Sequence, residues 1–295
     1  MVLVCGMTLG WGSRAKLAAR RRFVKCADPR YVDAVLPAPC YVFSDAHLGF
    51  APGDVEDATL RFLRSLSGRA GSLVINGDLF EFWFEWRRVI PRPAFRVLAA
   101  LADLREQGIP IVMLAGNHDC WGGDVLREDV GVDYRLDAFT GLAGGWNARI
   151  EHGDGLRVVE DARYRRLRSV IRHPWAVRAF RWLPPDAASG LAYGSSHASR
   201  TRSADDDGAG LRHVAFDALT ATPGLELVAY GHSHVAELTR APAGGVYLNT
   251  GPWYDQRTFA VIDPDRIALR RWEGSAESAD LHVLDRVPQE ARPQP

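Results

Sequence analysis

Ile109-Pro110-Ile111-Val112-Met113-Leu114-Ala115-Gly116-Asn117-His118-Asp119 decides how the chain is read. The apolar run to Leu114 fits a strand buried on both faces, as in a parallel sheet covered by helices. It ends in a glycine, then an amide, an imidazole and a carboxylate in consecutive positions. Ligands of open α/β sheets gather at the carboxyl ends of strands, where loops carry geometry that a strand cannot. Asn and Asp are also ordinary turn formers, so the meaning depends on whether other strands end the same way.

Four others do. Cys40-Tyr41-Val42-Phe43-Ser44 leads into Asp45-Ala46-His47, and Ser72-Leu73-Val74-Ile75-Asn76 into Gly77-Asp78. Ala148-Arg149-Ile150-Glu151 leads into His152-Gly153-Asp154, and Leu225-Glu226-Leu227-Val228-Ala229-Tyr230 into Gly231-His232-Ser233-His234. Between them, residues 54–67 and 94–107 predict helices, the second with Phe95, Leu98, Leu101 and Leu104 on one side, Pro93 at its start and Gly108 at its stop. The alternation of strand and helix points to an α/β fold.

The balance of the chain bounds what it does. Its 295 residues are 47% hydrophobic and 24% charged, so the chain can bury a substantial core. Lys+Arg and Asp+Glu number 36 each, and no nucleic-acid partner is expected from the net charge. Cys5, Cys26, Cys40 and Cys120 form no CxxC pair and no disulfide framework, which fits a reducing cytoplasm. No apolar run reaches the roughly 20 residues of a membrane span, and residues 1–5 are too short for a signal-peptide core. The basic segment 14–25 is either a solvated arm or a weak surface-membrane helix.

Leu79-Phe80-Glu81-Phe82-Trp83-Phe84-Glu85-Trp86 is too aromatic for open surface, and reads either as a packed turn or as a wall for an apolar substrate. From residue 154 to about 221 the chain turns rich in Arg, Ala and Trp, which predicts a helical insertion. Arg163, Arg165, Arg166 and Arg168 can meet phosphates there, and Trp175, Phe180, Trp182 and Leu183 offer apolar surface. Ser195, Ser196, His197 and Arg200 are either substrate contacts or a polar helix end. Short strands at 235–240, 245–249, 258–262 and 267–272 predict a β-meander closing one side of a sheet. His173, His213 and His282 lie at no strand end and are expected to be surface or structural residues, and Cys120 a packing residue.

The five strand ends therefore carry Asp45, His47, Asp78, Asn117, His118, His152, His232 and His234, oxygen and nitrogen donors without a thiolate. Such donors suit Mn²⁺, Fe²⁺ or Zn²⁺ and argue against a closed structural zinc site. Even seven of these eight exceed what one ion takes, whereas two ions sharing a carboxylate account for them.

In this order the motifs resemble the calcineurin-like metallophosphoesterases, over the chain from about residue 40 to the tail strands. The resemblance implies a four-layer α-β-β-α sandwich. It also implies one cation on Asp45, His47, Asp78 and His234, and a second on Asp78, Asn117, His152 and His232, which together activate a water as nucleophile. His118 would stabilise or protonate the leaving oxygen, and Asp119 would orient the His118 ring.

A narrower resemblance rests on His152-Gly153-Asp154-Gly155, Tyr164-Arg165-Arg166-Leu167-Arg168, His173-Pro174-Trp175 and Leu79-Phe80-Glu81-Phe82-Trp83. These are similar to the UDP-2,3-diacylglucosamine diphosphatases of the lipid A pathway. That likeness implies Mn²⁺-dependent hydrolysis of a UDP-linked acylated sugar to UMP and 2,3-diacylglucosamine 1-phosphate (lipid X), by a cytoplasmic enzyme held peripherally on the inner membrane. Tyr164, Arg165, Arg168, Trp175, Ser195, Ser196 and Arg200 are then the candidate substrate contacts. Two positions depart from the narrower pattern: His118, where many members have Arg, and Glu85-Trp86-Arg87-Arg88, where many carry an acidic run. The alternatives are an enzyme for nucleotides or other soluble phosphoesters, and a non-catalytic metal-binding scaffold. The expected organisation is a basic arm over 1–38, the catalytic domain over 39–273 with a helical lid over about 155–202, and a polar tail over 274–295.

Overall fold

Alternation along the strands sorts their side chains into two cores. In β2 (Cys40–Phe43), Tyr41 and Phe43 face one core while Cys40 and Val42 face the other. Leu73 and Ile75 of β3 (Ser72–Asn76) oppose Val74 in the same way, as do Ile111 and Met113 of β4 (Ile111–Leu114) against Val112 and Leu114. This period of two is the geometry of a pleated strand buried on both faces. The computed structural model describes residues 34–200, 206–274 and 278–287. The predicted basic segment 14–25 lies outside them.

β2, β3, β4 and β5 (Asp133–Arg135) run parallel, and β11 (Thr258–Ile262), β12 (Arg266–Trp272) and β13 (Ser278–Asp285) extend the sheet antiparallel beyond β2. The second sheet has the order β1 (Ala34–Leu36), β6 (Phe139–Ala143), β7 (Trp146–Ile150), β8 (Leu227–Tyr230), β10 (Val246–Thr250), β9 (Ala236–Arg240). The sheets share a core in which Val42, Val74, Val112 and Ile262 meet Ile150, Leu227, Ala229 and Leu248. On the far side of the first sheet lie α1 (Gly53–Ser65) and α2 (Phe95–Glu106), through Leu60, Phe62, Leu63, Leu98, Leu101 and Leu104. On the far side of the second lies α6 (Ala209–Ala221), through Leu211, Ala215 and Leu219. The molecule is thus an α-β-β-α sandwich of two mixed sheets.

Several boundaries differ from the sequence reading. β1, within the expected arm, pairs with β6, and β13, within the expected polar tail, pairs with β12 along its length. Leu281 and Val283 of β13 are exposed on this edge strand, so its burial pattern is too weak to read as a strand. The expected meander is divided: β9 and β10 join one sheet, β11 and β12 the other. α6 belongs to the sandwich, and the insertion proper holds α3 (Ala162–Ile171), α4 (Pro174–Phe180) and α5 (Pro185–Arg200). Phe95, placed by periodicity on the buried side of α2, is 68% exposed. A short α7 (Trp253–Gln256) follows β10 and buries Trp253 beside Phe43 and Phe62.

Candidate metal centre

β2, β3, β4, β7 and β8 present their carboxyl ends to one place, as the switch points of α/β sheets do. Five of the donor residues there hold left-handed backbone: Asp45 (φ 55°), His47 (47°), Asp78 (53°), His232 (62°) and His234 (57°). A non-glycine residue adopts that region at a cost, and a cluster of such residues marks a functional site. Main-chain bonds hold the geometry. Ala46 and His47 N–H both donate to the Asp78 carbonyl (2.9 and 3.0 Å), Asp45 N–H to Gly77 (3.1 Å), and Gly231 N–H to His152 (2.9 Å). The glycines in the motifs allow close approach: a Cβ on Gly77 would meet the His152 ring at 2.3 Å, and one on Gly116 the Asp78 carboxylate at 2.0 Å.

The donors fall into two groups. Asp45, His47 and His234 form one, with His234 Nε2 3.3 Å from Asp45 Oδ1 and 3.4 Å from His47 Nε2. Asp78, His152 and His232 form the other, with His152 Nε2 3.2 Å from Asp78 Oδ2. Asp78 Oδ2 also lies 3.9 Å from His47 Nε2, between the two groups.

Tautomers follow from the outer partners. His47 Nδ1 donates to Glu81 Oε2 (2.9 Å) and His152 Nδ1 to the Asn76 carbonyl (2.9 Å), which directs both Nε2 atoms inward, each with a lone pair once the ring is neutral. Asp45 Oδ1, Asn117 Oδ1 and His152 Nε2 are buried without a hydrogen bond, although the neighbours just named lie close. Converging buried acceptors are costly unless something positive joins them, and this donor set of carboxylate, amide and imidazole fits divalent cations.

The acids and imidazoles act strongly on one another: against the effect of burial, the charge of Asp78 raises the His152 ring well above its usual range, and Asp45 raises the His234 ring. Burial alone would raise the Asp45 carboxyl, but the adjoining His234 ring, 3.3 Å away, outweighs it and holds it at about 2. Burial is likewise outweighed at Asp78, where the charges of His152 and His118 keep the carboxyl well below the usual range. Burial, reinforced by the charge of His152, takes His232 down to about 4 and keeps its ring neutral, as a ligand must be.

Asp119 corrects an expectation. It does not orient His118: its two oxygens accept the Leu79 and Gly116 N–H groups, each at 2.8 Å, and tie the loop after β3 to the loop after β4. His118 Nδ1 bonds instead to the Glu81 carbonyl at 3.0 Å. Consecutive residues leaving a strand point apart, so adjacency in the triplet did not bring the two side chains together. Burial, then the charge of Asp78, raises the Asp119 carboxyl to about 7. Asp119→Asn keeps one acceptor and turns the other into a donor facing an N–H. Urea unfolding is expected to show a loss of about 1–3 kcal/mol, with His118-dependent chemistry little changed in mechanism.

Residues 38–236 match the family model described as calcineurin-like phosphoesterase. The chain belongs to this family. It is accordingly a metal-dependent phosphoester hydrolase. The UDP-2,3-diacylglucosamine hydrolase of Porphyromonas gingivalis is 28% identical to this phosphoesterase over 258 residues, 79% of this chain and 97% of its own. The proteins of that name from Stenotrophomonas maltophilia and Ralstonia nicotianae are each 30% identical, covering 75% and 70% of this chain and 93% and 81% of their own.

The helical insertion of this phosphoesterase is bolted to the loops that carry the donors. Tyr164 donates to Asp154 Oδ2 (2.6 Å) and Arg168 to the Asp154 carbonyl (2.9 Å), while Arg172 bridges Asp154 Oδ2 (3.3 Å) and the Gly116 carbonyl (3.2 Å). Trp121 Nε1 donates to Ile171 (2.9 Å) and Trp86 Nε1 to Leu183 (3.3 Å). Tyr164 and Arg168, expected on the substrate, are thus engaged in anchoring α3, because the buried Asp154 carboxylate requires partners. The aromatic run divides between two cores. Phe80 and Trp83 enter the sandwich core, and Phe82, Phe84 and Trp86 pack under the lid with Trp121, Phe180 and Tyr193. Phe180, expected to offer apolar surface, is consumed there, with its ring 4.9 Å from Phe84.

Arg165, Trp175 and Trp182 remain exposed, Trp182 at 86%. Ser195, Ser196 and Arg200 lie on the last turns of α5, and their side chains are outside the described residues. His173 caps α4 by accepting from Trp175 N–H, and His213 is exposed, in keeping with structural and surface roles. Three residues escaped the sequence reading. Glu81 joins His47 to His118, Glu85 accepts from the N–H groups of Gly123 and Val125, and Tyr254 packs edge-on to His47 and His234 at 5.5 Å. A charged residue inside an aromatic run was the available signal for the first two.

Proposed function

We propose that this phosphoesterase hydrolyses the pyrophosphate of UDP-2,3-diacylglucosamine, releasing UMP and 2,3-diacylglucosamine 1-phosphate. The observation that carries the reading is the pair of donor groups sharing Asp78 beneath a helical insert with exposed aromatics. Asp45, His47, Asp78 and His234 would hold one divalent cation, and Asp78, Asn117, His152 and His232 the other. Two such cations, Mn²⁺ being the one we favour, would supply an activated water and offset charge on the phosphoryl oxygens. His118 Nε2, 3.9 Å from Asp78 Oδ2, is placed, in the doubly protonated ring, to hand a proton to the departing phosphate oxygen. Asn117 and His118 share a loop that Asp119 braces, so donor and proton carrier keep their spacing.

The lid supports the lipid part of the substrate. Leu167, Val170, Trp175, Trp182 and Leu191 expose apolar surface on α3, on α5 and around α4, beside Arg165 and Arg166. That surface suits acyl chains and an anionic membrane face, and peripheral attachment to the inner membrane belongs to this reading. No helix among the described residues is long and apolar enough to cross a membrane.

The test is hydrolysis by the Mn²⁺-loaded protein of the diacylated UDP-sugar and of bis(p-nitrophenyl) phosphate side by side. UMP release from the lipid substrate at the higher kcat/KM is expected. Efficient hydrolysis of the soluble diester without UMP release would point to a phosphoesterase for soluble substrates, a reading favoured only by the engagement of Tyr164 and Arg168 with Asp154.

A further inference from the structure

We infer that Glu81 is a positioning residue that couples the rings of His47 and His118, one through its side chain and the other through its main chain. The inference rests on the two-cation reading above and deepens it. Glu81 is 3% exposed and sits between the buried Phe80 and Phe82. A carboxylate in such surroundings is costly unless it is paired. Its Oε2 lies 2.9 Å from His47 Nδ1, its carbonyl oxygen 3.0 Å from His118 Nδ1, and its Oε1 3.7 Å from the same His118 nitrogen. The two rings meet edge to face with centroids 4.9 Å apart and planes at 88°.

The backbone of this segment is held from both sides. Glu81 N–H donates to the Leu48 carbonyl (3.0 Å) beside the Leu48–Phe80 bridge, and Trp83 N–H donates to the His118 carbonyl (3.3 Å). Residues 80–83 therefore lie as a splint between the loop of His47 and the loop of His118. A carbonyl oxygen only accepts, so His118 Nδ1 carries a proton in either charge state, and Nε2, on the Asp78 side, is the nitrogen left to exchange one with substrate. Bonding to the Glu81 carboxylate selects the same tautomer in His47, whose Nε2 then faces Asp45 and His234. One residue thus fixes which nitrogen of the donor ring and which nitrogen of the proton-handling ring is available, and their separation.

His47, Glu81 and His118 also place three ligand atoms within 4.8 Å of one another, the arrangement a third cation would use. The bonds to Glu81, however, are made by Nδ1 of each ring, the nitrogen on the side away from the Asp78 carboxylate.

The test uses the full chain and its Glu81→Ala, Glu81→Gln and Glu81→Asp variants. Mn²⁺ binding is followed by calorimetric titration and electron paramagnetic resonance, hydrolysis on bis(p-nitrophenyl) phosphate. Glu81→Ala is expected to weaken one of the two Mn²⁺ equivalents by about 10–100-fold while leaving the other, and to lower kcat with little change in KM. Glu81→Gln, whose amide oxygen still accepts from His47 Nδ1, is expected to restore most of that affinity. Should Glu81→Ala not fold, Glu81→Asp carries the test, since it keeps the charge but retracts it from His47 and is expected to weaken the same equivalent. Wild-type affinity for both equivalents in the Ala or Asp variant would overturn the inference. So would parallel loss of both without rescue by Gln, or a third equivalent in the wild type that vanishes with Glu81. Titration reads cation binding directly, so a phosphoesterase that ignores the UDP-lipid still reports on Glu81.

Discussion

Asp78→Ala is expected to lose both cations together and to hydrolyse phosphoesters slower by about 10³-fold or more. A bound cation contributes several kcal/mol at the transition state, and each 1.36 kcal/mol is tenfold in rate. The size of the effect follows from position. Asp78 Oδ2 lies near both donor groups, 3.2 Å from His152 Nε2 and 3.9 Å from His47 Nε2. Asp78 Oδ1 also accepts the His118 N–H at 3.0 Å, so truncation releases the loop that carries the proton. Asp78→Asn separates these contributions: its amide oxygen can retain the bond to His118 N–H while the bridging charge is gone. Metal content measured by plasma mass spectrometry after dialysis into Mn²⁺ should fall for both variants. A variant that keeps two equivalents and full activity would refute the bridging role.

His118→Ala should behave in the opposite way toward metal. His118 belongs to neither Asp78-linked donor group, and its Nδ1 is engaged with Glu81, so both Mn²⁺ equivalents are expected to remain. The rate should fall by about 10²–10⁴-fold, the usual worth of a positioned general acid. The loss should be largest for a leaving group that needs a proton, such as the alkoxide of an alkyl phosphodiester, and small for p-nitrophenolate, which leaves unaided. Equal losses for both leaving groups would indicate that the ring acts through structure or charge and not through proton transfer. This distinction matters because His118 is the position at which the chain departs from the Arg of the narrower pattern.

What could be read from sequence was local. Strands such as residues 111–114 and 72–76 announce themselves by uninterrupted apolar character, and the donors follow within four residues of the strand ends, so the donor positions needed no knowledge of distant contacts. Asp45, Asp78 and His152 come together because parallel strands of one sandwich bring their carboxyl ends to the same edge, which the order of elements already implies. Contacts set by side-chain direction and long-range packing were not legible. Asp119 follows His118 in sequence but turns to backbone N–H groups of two loops. Tyr164 and Arg168 have the composition of phosphate binders, yet Asp154, ten and fourteen residues earlier, takes them. Glu81 looked like a charge stranded in an aromatic run, because its partners His47 and His118 lie 34 and 37 residues away. The edge strand β13 was hidden for a different reason: half-exposed residues carry little periodicity to detect.

The most direct measurement of the central claim is an anomalous difference map from crystals of the Mn²⁺-loaded protein, collected at the manganese edge. Two peaks are expected about 3.5–4 Å apart. One should lie among Asp45, His47 and His234, the other among Asn117, His152 and His232, with the Asp78 carboxylate between them. A single peak, or a pair that Asp78 does not bridge, would contradict the account.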